Sequence, residues 1–202
     1  MKKIILLIIA AFTWSHFYLI GSTQKVGPGM LAGGSPIITQ ADLKTFSDDD
    51  FKFQVINHYE ADARVLNASN YYFDRMSRIS PMDIAIGWDN LSDEAFINAI
   101  DFSITERELE WQSSVSTIDE TEIKNSTQLL HIIPKNRQIR ETLKSIKIGD
   151  IVTLSGYLVN VKSAIGLKWN SHSSNRVLKR QTKGKIIYLY HLEITHPSLR
   201  VY

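Results

Sequence analysis

Gly149-Asp150-Ile151-Val152-Thr153-Leu154-Ser155-Gly156-Tyr157-Leu158-Val159-Asn160-Val161 is the stretch whose reading decides the fold. Val152, Leu154 and Leu158 share one parity, while Tyr157, Val159 and Val161 share the other. Side chains alternate faces along a strand, so this strand is apolar on one face at first and then on both. Gly156 stands at the change. A glycine inside a strand marks a bend, a bulge or a close approach of another backbone. A strand that bends where its buried face changes belongs in a small barrel.

The neighbouring segments extend that reading. Upstream, Asn136 follows Pro134 by two positions, and Ile139, Leu143 and Ile146 fall at i, i+4 and i+7, which predicts a helix stopping near Gly149. Downstream, Ile186-Ile187-Tyr188-Leu189-Tyr190-His191-Leu192 is apolar on nearly both faces, as a central strand is. Phe51-Lys52-Phe53-Gln54-Val55 alternates as a half-buried strand. Ser80-Pro81 opens a segment read as irregular to Asn90. Ser92 reads as an N-cap, with Asp93 and Glu94 in the first turn of a short helix. Strands outnumber helices and are segregated from them. The expected class is α+β: an N-terminal transmembrane helix, a tether, then one mainly antiparallel β domain, barrel-like, with two short helices. The way the Gly149–Tyr157 strand enters after a short helix looks like that of an OB-like module.

The start of the chain is a location signal. Lys2-Lys3 precedes an apolar run from Ile4 to Ile20, broken only by Thr13, Ser15 and His16. As a helix such a run rises ~25 Å, slightly short of a ~30 Å hydrocarbon core, and the lysines prefer the cytoplasmic side. Residues 1–21 are thus expected to be a membrane anchor or signal sequence, with the bilayer as partner through residues 4–20. The expected location is the inner membrane, single-pass, with the C-terminal domain exported. Cleavage of a signal would instead release a periplasmic or secreted protein. Residues 22–50, rich in Gly and Pro and closed by Asp48-Asp49-Asp50, read as a flexible tether. Residues 51–202 then form a single globular domain. Zero cysteines exclude disulfides, thiolate metal sites and cysteine nucleophiles.

Charge is balanced overall and divided locally. Residues 40–122 carry 18 acidic and 6 basic side chains, net −12, whereas 135–185 carry 12 basic and 2 acidic, net +10. One reading is that the two halves satisfy each other. The other is a basic surface for an anionic polymer or headgroup, built from Lys168, Trp169, Arg176, Lys179, Arg180, Lys183 and Lys185. Cations beside a stackable ring resemble the parts of a single-strand groove, although an exported domain seldom meets nucleic acid. The segment 162–185 is expected to form a hairpin, with Trp169 on one strand and Lys185 onward on the other.

Catalytic signals are sparse. His131, in Leu129-Leu130-His131-Ile132-Ile133-Pro134, and Asp83, near Gly87-Trp88, are the candidate acid/base groups. No H-x-x-x-H, H-E-x-x-H, G-x-S-x-G or glycine-rich phosphate motif occurs, and neither metal nor cofactor is expected.

Several pieces in order resemble an uncharacterised family of bacterial membrane-anchored envelope proteins. They are the apolar start, Gly27-Pro28-Gly29-Met30-Leu31-Ala32, Ala63-Arg64-Val65-Leu66, Ser80-Pro81-Met82-Asp83 with Gly87-Trp88, His131-Ile132-Ile133-Pro134, Gly149-Asp150-Ile151-Val152 with Gly156-Tyr157-Leu158-Val159, and Trp169 followed by serines. The family pattern has a cysteine-glutamate pair where this chain has Lys185-Ile186. The resemblance implies location and architecture and no activity. The expected function is a non-enzymatic binding or interaction domain at the membrane surface, with a protein or anionic polymer in the envelope as partner. The alternatives are a hydrolase or lyase of an envelope polymer using His131, and an OB-like module for an anionic polymer.

Overall fold

The twenty residues Phe51–Asn70 form one strand, the longest among the described residues, and the rest of the sheet is organised around it. The computed structural model describes residues 27–114, 119–163, 166–171 and 181–197. The strands are β1 (Ile37–Thr39), β2 (Thr45–Asp48), β3 (Phe51–Asn70), β4 (Met82–Gly87), β5 (Ile100–Thr105), β6 (Glu108–Ser113), β7 (Thr127–Pro134), β8 (Ile151–Ser163), β9 (Lys168–Trp169), β10 (Gln181–Lys183) and β11 (Lys185–Thr195). Three short α-helices join them: α1 (Glu94–Ile97), α2 (Glu120–Asn125) and α3 (Arg137–Leu143). The domain is mainly β with a minor helical part, as the α+β reading expects.

β3 is long enough to pair with two strands at once. Its first part runs antiparallel to β8, from Phe51 opposite Ser163 to Arg64 opposite Ile151. From Arg64 to Asn70 it pairs with β4. The sheet order β3-β4-β7-β11-β8 therefore returns to β3, a circuit of five strands closed on itself. One contact departs from the antiparallel expectation: β7 and β11 run parallel, with His131 opposite Ile186. Closure removes the exposed edges that an open sheet presents.

The interior of this circuit is aliphatic. Ala61, Ala63 and Val65 of β3, Ile84 and Ile86 of β4, Leu130 and Ile132 of β7, Val152 and Leu154 of β8, and Ile187 and Leu189 of β11 form one buried cluster. Helix α3 closes one end, adding Ile139 and Leu143 to the same cluster. Its N-cap is Asn136, whose Oδ1 accepts from the Ile139 amide at 2.9 Å. Gly156 is required by close approach, since a Cβ there would lie 2.6 Å from the Tyr188 carbonyl oxygen of β11. The β11 register shifts beside it, between Leu189 and His191.

A second sheet, β10-β6-β5, lies outside the circuit. Its Phe102, Leu109 and Trp111 pack with Ala85 of β4 and Leu129 of β7. Both faces of β4 are consequently buried along its whole length. This explains why 82–87, expected as irregular, is a strand. Alternation is invisible when both faces are covered, and the flanking Pro81 and Gly87 imitate a loop.

The tether over 22–50 is corrected for the residues described, 27–50. β1 and β2 both pair with β3. Ser92 Oγ accepts from the amides of Leu31 at 3.1 Å and Ala32 at 3.0 Å. Asp93 Oδ1 takes the Gly29 amide at 3.0 Å, and Asp89 Oδ1 takes that of Gly34 at 2.8 Å. Glycine-rich backbone here follows a row of polar acceptors closely, so the domain begins well before residue 51. Ser92 is thus used by the segment before it, and the N-cap of α1 is Asp93. A third helix, α2, adds to the two expected; Asp119 caps it, and its only buried side chain is Ile123.

The anchor expected over residues 4–20 lies outside the described residues, among which no helix is long and apolar enough to cross a membrane.

Candidate functional site

Asp83 on β4 and His131 on β7 are directly opposite in the sheet register. Their side chains share the outward face of the circuit, because Met82, Ile84, Leu130 and Ile132 occupy the inward one. His131 Nδ1 lies 3.0 Å from Asp83 Oδ2, a close approach set off the line of a regular hydrogen bond. Asp83 is wholly buried, and His131 is 4% exposed. A buried carboxylate needs a cation or several donors.

That cation is Arg107, delivered by the β5–β6 turn. Glu106 and Arg107 both have positive φ, 50° and 62°, the left-handed pair of a tight hairpin turn. The guanidinium Nη1 is 2.8 Å from Asp83 Oδ1 and Nη2 donates to the Ser80 carbonyl at 3.0 Å. Nε donates to Asp74 Oδ2 at 2.9 Å. The plane of the group covers the Tyr71 ring at 3.8 Å, with the Trp169 ring 5.6 Å away. Trp169 also meets the His131 ring, centroid to centroid 4.9 Å. Burial pushes the Tyr71 phenol well above its ordinary value, and the Asp83 charge adds to the shift.

His131, Asp83 and Trp169, far apart in sequence, are therefore one cluster, joined by Arg107, Tyr71 and Asp74. The other imidazole nitrogen lies against Gly184, between β10 and β11. A Cβ on Gly184 would run into His131 Nε2, so glycine is needed for the chain to cross there. A general base presents its free nitrogen to substrate, and here that nitrogen faces the backbone of Gly184. Asp89, the other carboxylate near Trp88, is engaged separately with the Gly34 amide. Among the described residues no three His, Asp or Glu side chains converge as a metal group would require.

Lys168, beside Trp169, belongs to a second arrangement. It is opposite Lys162 in the β8–β9 register, and Lys162 is opposite Lys52 in the β3–β8 register. Three exposed lysines thus form a row across neighbouring strands, about 10 Å from end to end at strand spacing. Like charges directly opposite destabilise a sheet, and among the described residues none of the three takes part in an ion pair.

The expected hairpin over 162–185 is corrected. Trp169 folds back on β8, Gln181–Lys183 pairs with β6, and Lys185 begins the central strand β11. Lys183 lies opposite Glu108 in the β6–β10 register. Lys185 is half-buried rather than in an exposed turn, and desolvation lowers its pKa. Arg176, Lys179 and Arg180 lie outside the described residues.

Arg107, Tyr71, Lys52 and Lys162 were not singled out by sequence. Arg107 had a signal, as one of only 6 cations among 18 acids in residues 40–122. The lysine row had none, since register between distant strands is not written in local pattern.

Comparison with protein-family models, with curated proteins and with solved structures finds no match to this chain.

Proposed function

We propose that this chain is a non-enzymatic binding domain held at the membrane surface, built on an OB-like barrel, whose ligand is an extended anionic polymer. The observation that carries the reading is the row of exposed Lys52, Lys162 and Lys168 across β3, β8 and β9. Three like charges in register, none of them in an ion pair among the described residues, are an electrostatic cost that an anionic ligand relieves. The OB-like reading is supported by the closed circuit of five strands with α3 between β7 and β8. In such folds the face of the second and third strands, with the loops beside them, takes oligonucleotides and oligosaccharides. Here the corresponding strands, β4 and β7, are buried on both faces, and the lysine row lies on β3, β8 and β9 instead. The membrane setting rests on the apolar run 4–20 and on the family resemblance.

The test is titration of the full chain with polyphosphate, and in parallel with a thymidine oligonucleotide, across salt concentration. Replacing three contacting cations lowers the slope of log affinity against log salt by about 2 for a single-stranded polyanion. Lys52→Gln, Lys162→Gln and Lys168→Gln together should therefore flatten the salt dependence. Binding to neither probe, or a slope unchanged in the triple variant, contradicts the proposal.

A hydrolase or lyase reading is supported by one observation, the 3.0 Å approach of His131 to Asp83. The burial of both groups and the position of Gly184 over Nε2 weigh against it.

A further inference from the structure

The segment from Tyr71 to Pro81 leaves β3 and returns as β4, its ends tied by the Tyr71 amide donating to the Pro81 carbonyl at 2.8 Å. At its tip Phe73 is 100% exposed and Tyr72 is 68% exposed. The two rings lie side by side, their centroids 6.4 Å apart. Two exposed aromatic rings at a loop tip, where the same loop buries Ile79, are apolar surface with no occupant within the fold.

Cations surround this tip. Arg75 and Arg78 are on the loop itself and exposed. A cleft of about 500 Å³ opens between the loop and α3, lined by Tyr72, Arg78, Arg140, Leu143 and Lys144. Arg140 Nη2 donates to the Arg78 carbonyl at 3.0 Å, fixing the loop against the helix. Asp50 is 3.0 Å from Arg78 and Glu141 is 2.7 Å from Lys144, both exposed pairs. Asp74 is committed to Arg107 at 2.7 Å. Exposed pairs of this kind are weak and exchange readily for another anion.

We infer that this loop and the α3 cleft form a bilayer-contact surface, with Phe73 and Tyr72 entering the interface and Arg78, Arg140 and Lys144 holding anionic lipid headgroups. Aromatic rings favour the headgroup level, and cations beside them gain from an anionic leaflet. The aromatic tip selects a lipid over a free phosphate, since a phosphate needs only the cations. This surface is separate from the lysine row of the proposed ligand site, and it uses no residue of that row.

The chain has no cysteine, so a single engineered thiol labels uniquely. The full chain carrying Tyr72→Cys with an environment-sensitive dye is presented to vesicles of phosphatidylcholine, with or without phosphatidylglycerol, containing a lipid-borne quencher. A second chain carries the dye at Gln112→Cys, at the end of the β5–β6 hairpin away from Arg107. The dye at position 72 should be quenched in the anionic vesicles and much less in the zwitterionic ones, while the dye at 112 stays unquenched. Arg140→Gln and Lys144→Gln should each lower the bound-to-free ratio of the loop about fivefold, and Phe73→Ser should lower it further, with circular dichroism unchanged. Free glycerol phosphate should leave the dye unaffected. The inference is overturned by equal quenching in both vesicle types that the substitutions leave unaltered, by equal quenching at 72 and 112, or by the same response to free glycerol phosphate. The polyphosphate titration of the lysine row reads independently of all these outcomes.

Discussion

Strands β4 and β7 present opposite chemistry on their two faces, although both faces are buried. Inward, Met82, Ile84, Ile86, Leu130 and Ile132 are aliphatic and belong to the barrel core. Outward, Ala85 and Leu129 pack under the second sheet, and beside them Asp83 and His131 form a buried polar pair held by Arg107. The inward face gains free energy from burial alone and tolerates changes of shape at modest cost. The outward face is conditional: it is stable only while one guanidinium from a distant turn satisfies a carboxylate that water cannot reach. Such a network holds the roof in register on the barrel and seats Trp169 beside His131.

The comparison is broken most severely at Arg107. Arg107→Met leaves Asp83 buried with its cation gone, and chemical denaturation should show a loss of about 3–5 kcal/mol. Adding Asp83→Asn to that variant should recover part of the loss, because the buried charge disappears with its partner. Full additivity of the two substitutions would mean that the pair is not coupled. On the inward face, Ile132→Ala removes aliphatic volume and should cost about 2–5 kcal/mol, with no recovery from any change at Asp83.

Next in size is Gly156→Ala. The added methyl meets the Tyr188 carbonyl oxygen at 2.6 Å, which cannot swing aside as a side chain would. A loss of about 1–3 kcal/mol is expected in thermal melts. A neutral result would show that β8 and β11 are farther apart at this point.

The smallest effect belongs to Tyr59, a phenol within the apolar interior whose hydroxyl has no hydrogen-bond partner. Burial raises its pKa above the ordinary value near 10. Between the unfolded and folded pKa values the native state holds the proton and the unfolded state does not, so stability falls as pH rises. The contribution is fully present below about pH 10 and is lost above it. Lys185, lowered by burial, acts in the opposite sense up to its own ordinary pKa and is common to both chains compared. Tyr59→Phe should change stability by no more than about 1 kcal/mol at neutral pH and make the decline above pH 10 shallower than in the parent.

The barrel was legible in sequence where a strand has one face against the core and a local irregularity to mark its bend. Gly156 and the alternation around it, the helix capped by Asn136, and the doubly apolar 186–192 all lie where local pattern points. β4 was not legible, because a strand covered on both faces loses its period, and Asp83 interrupts what would have been an apolar run. The docked segment 27–50 was hidden by composition: glycine and proline signal freedom, whereas here they let backbone amides reach Ser92, Asp89 and Asp93. Of the site, His131, Asp83 and Trp169 could be named singly from residue type. Their convergence depends on cross-strand register and on Arg107, and neither is encoded within a window of ten residues.

Nuclear magnetic resonance mapping of polyphosphate on the full chain tests the central claim most directly. The ammonium resonances of Lys52, Lys162 and Lys168 should shift together, saturating with one affinity that weakens as salt rises. The buried indole of Trp111 serves as the internal reference and should stay in place. Shifts confined to other lysines, with the row unmoved at saturating polyphosphate, would contradict the account.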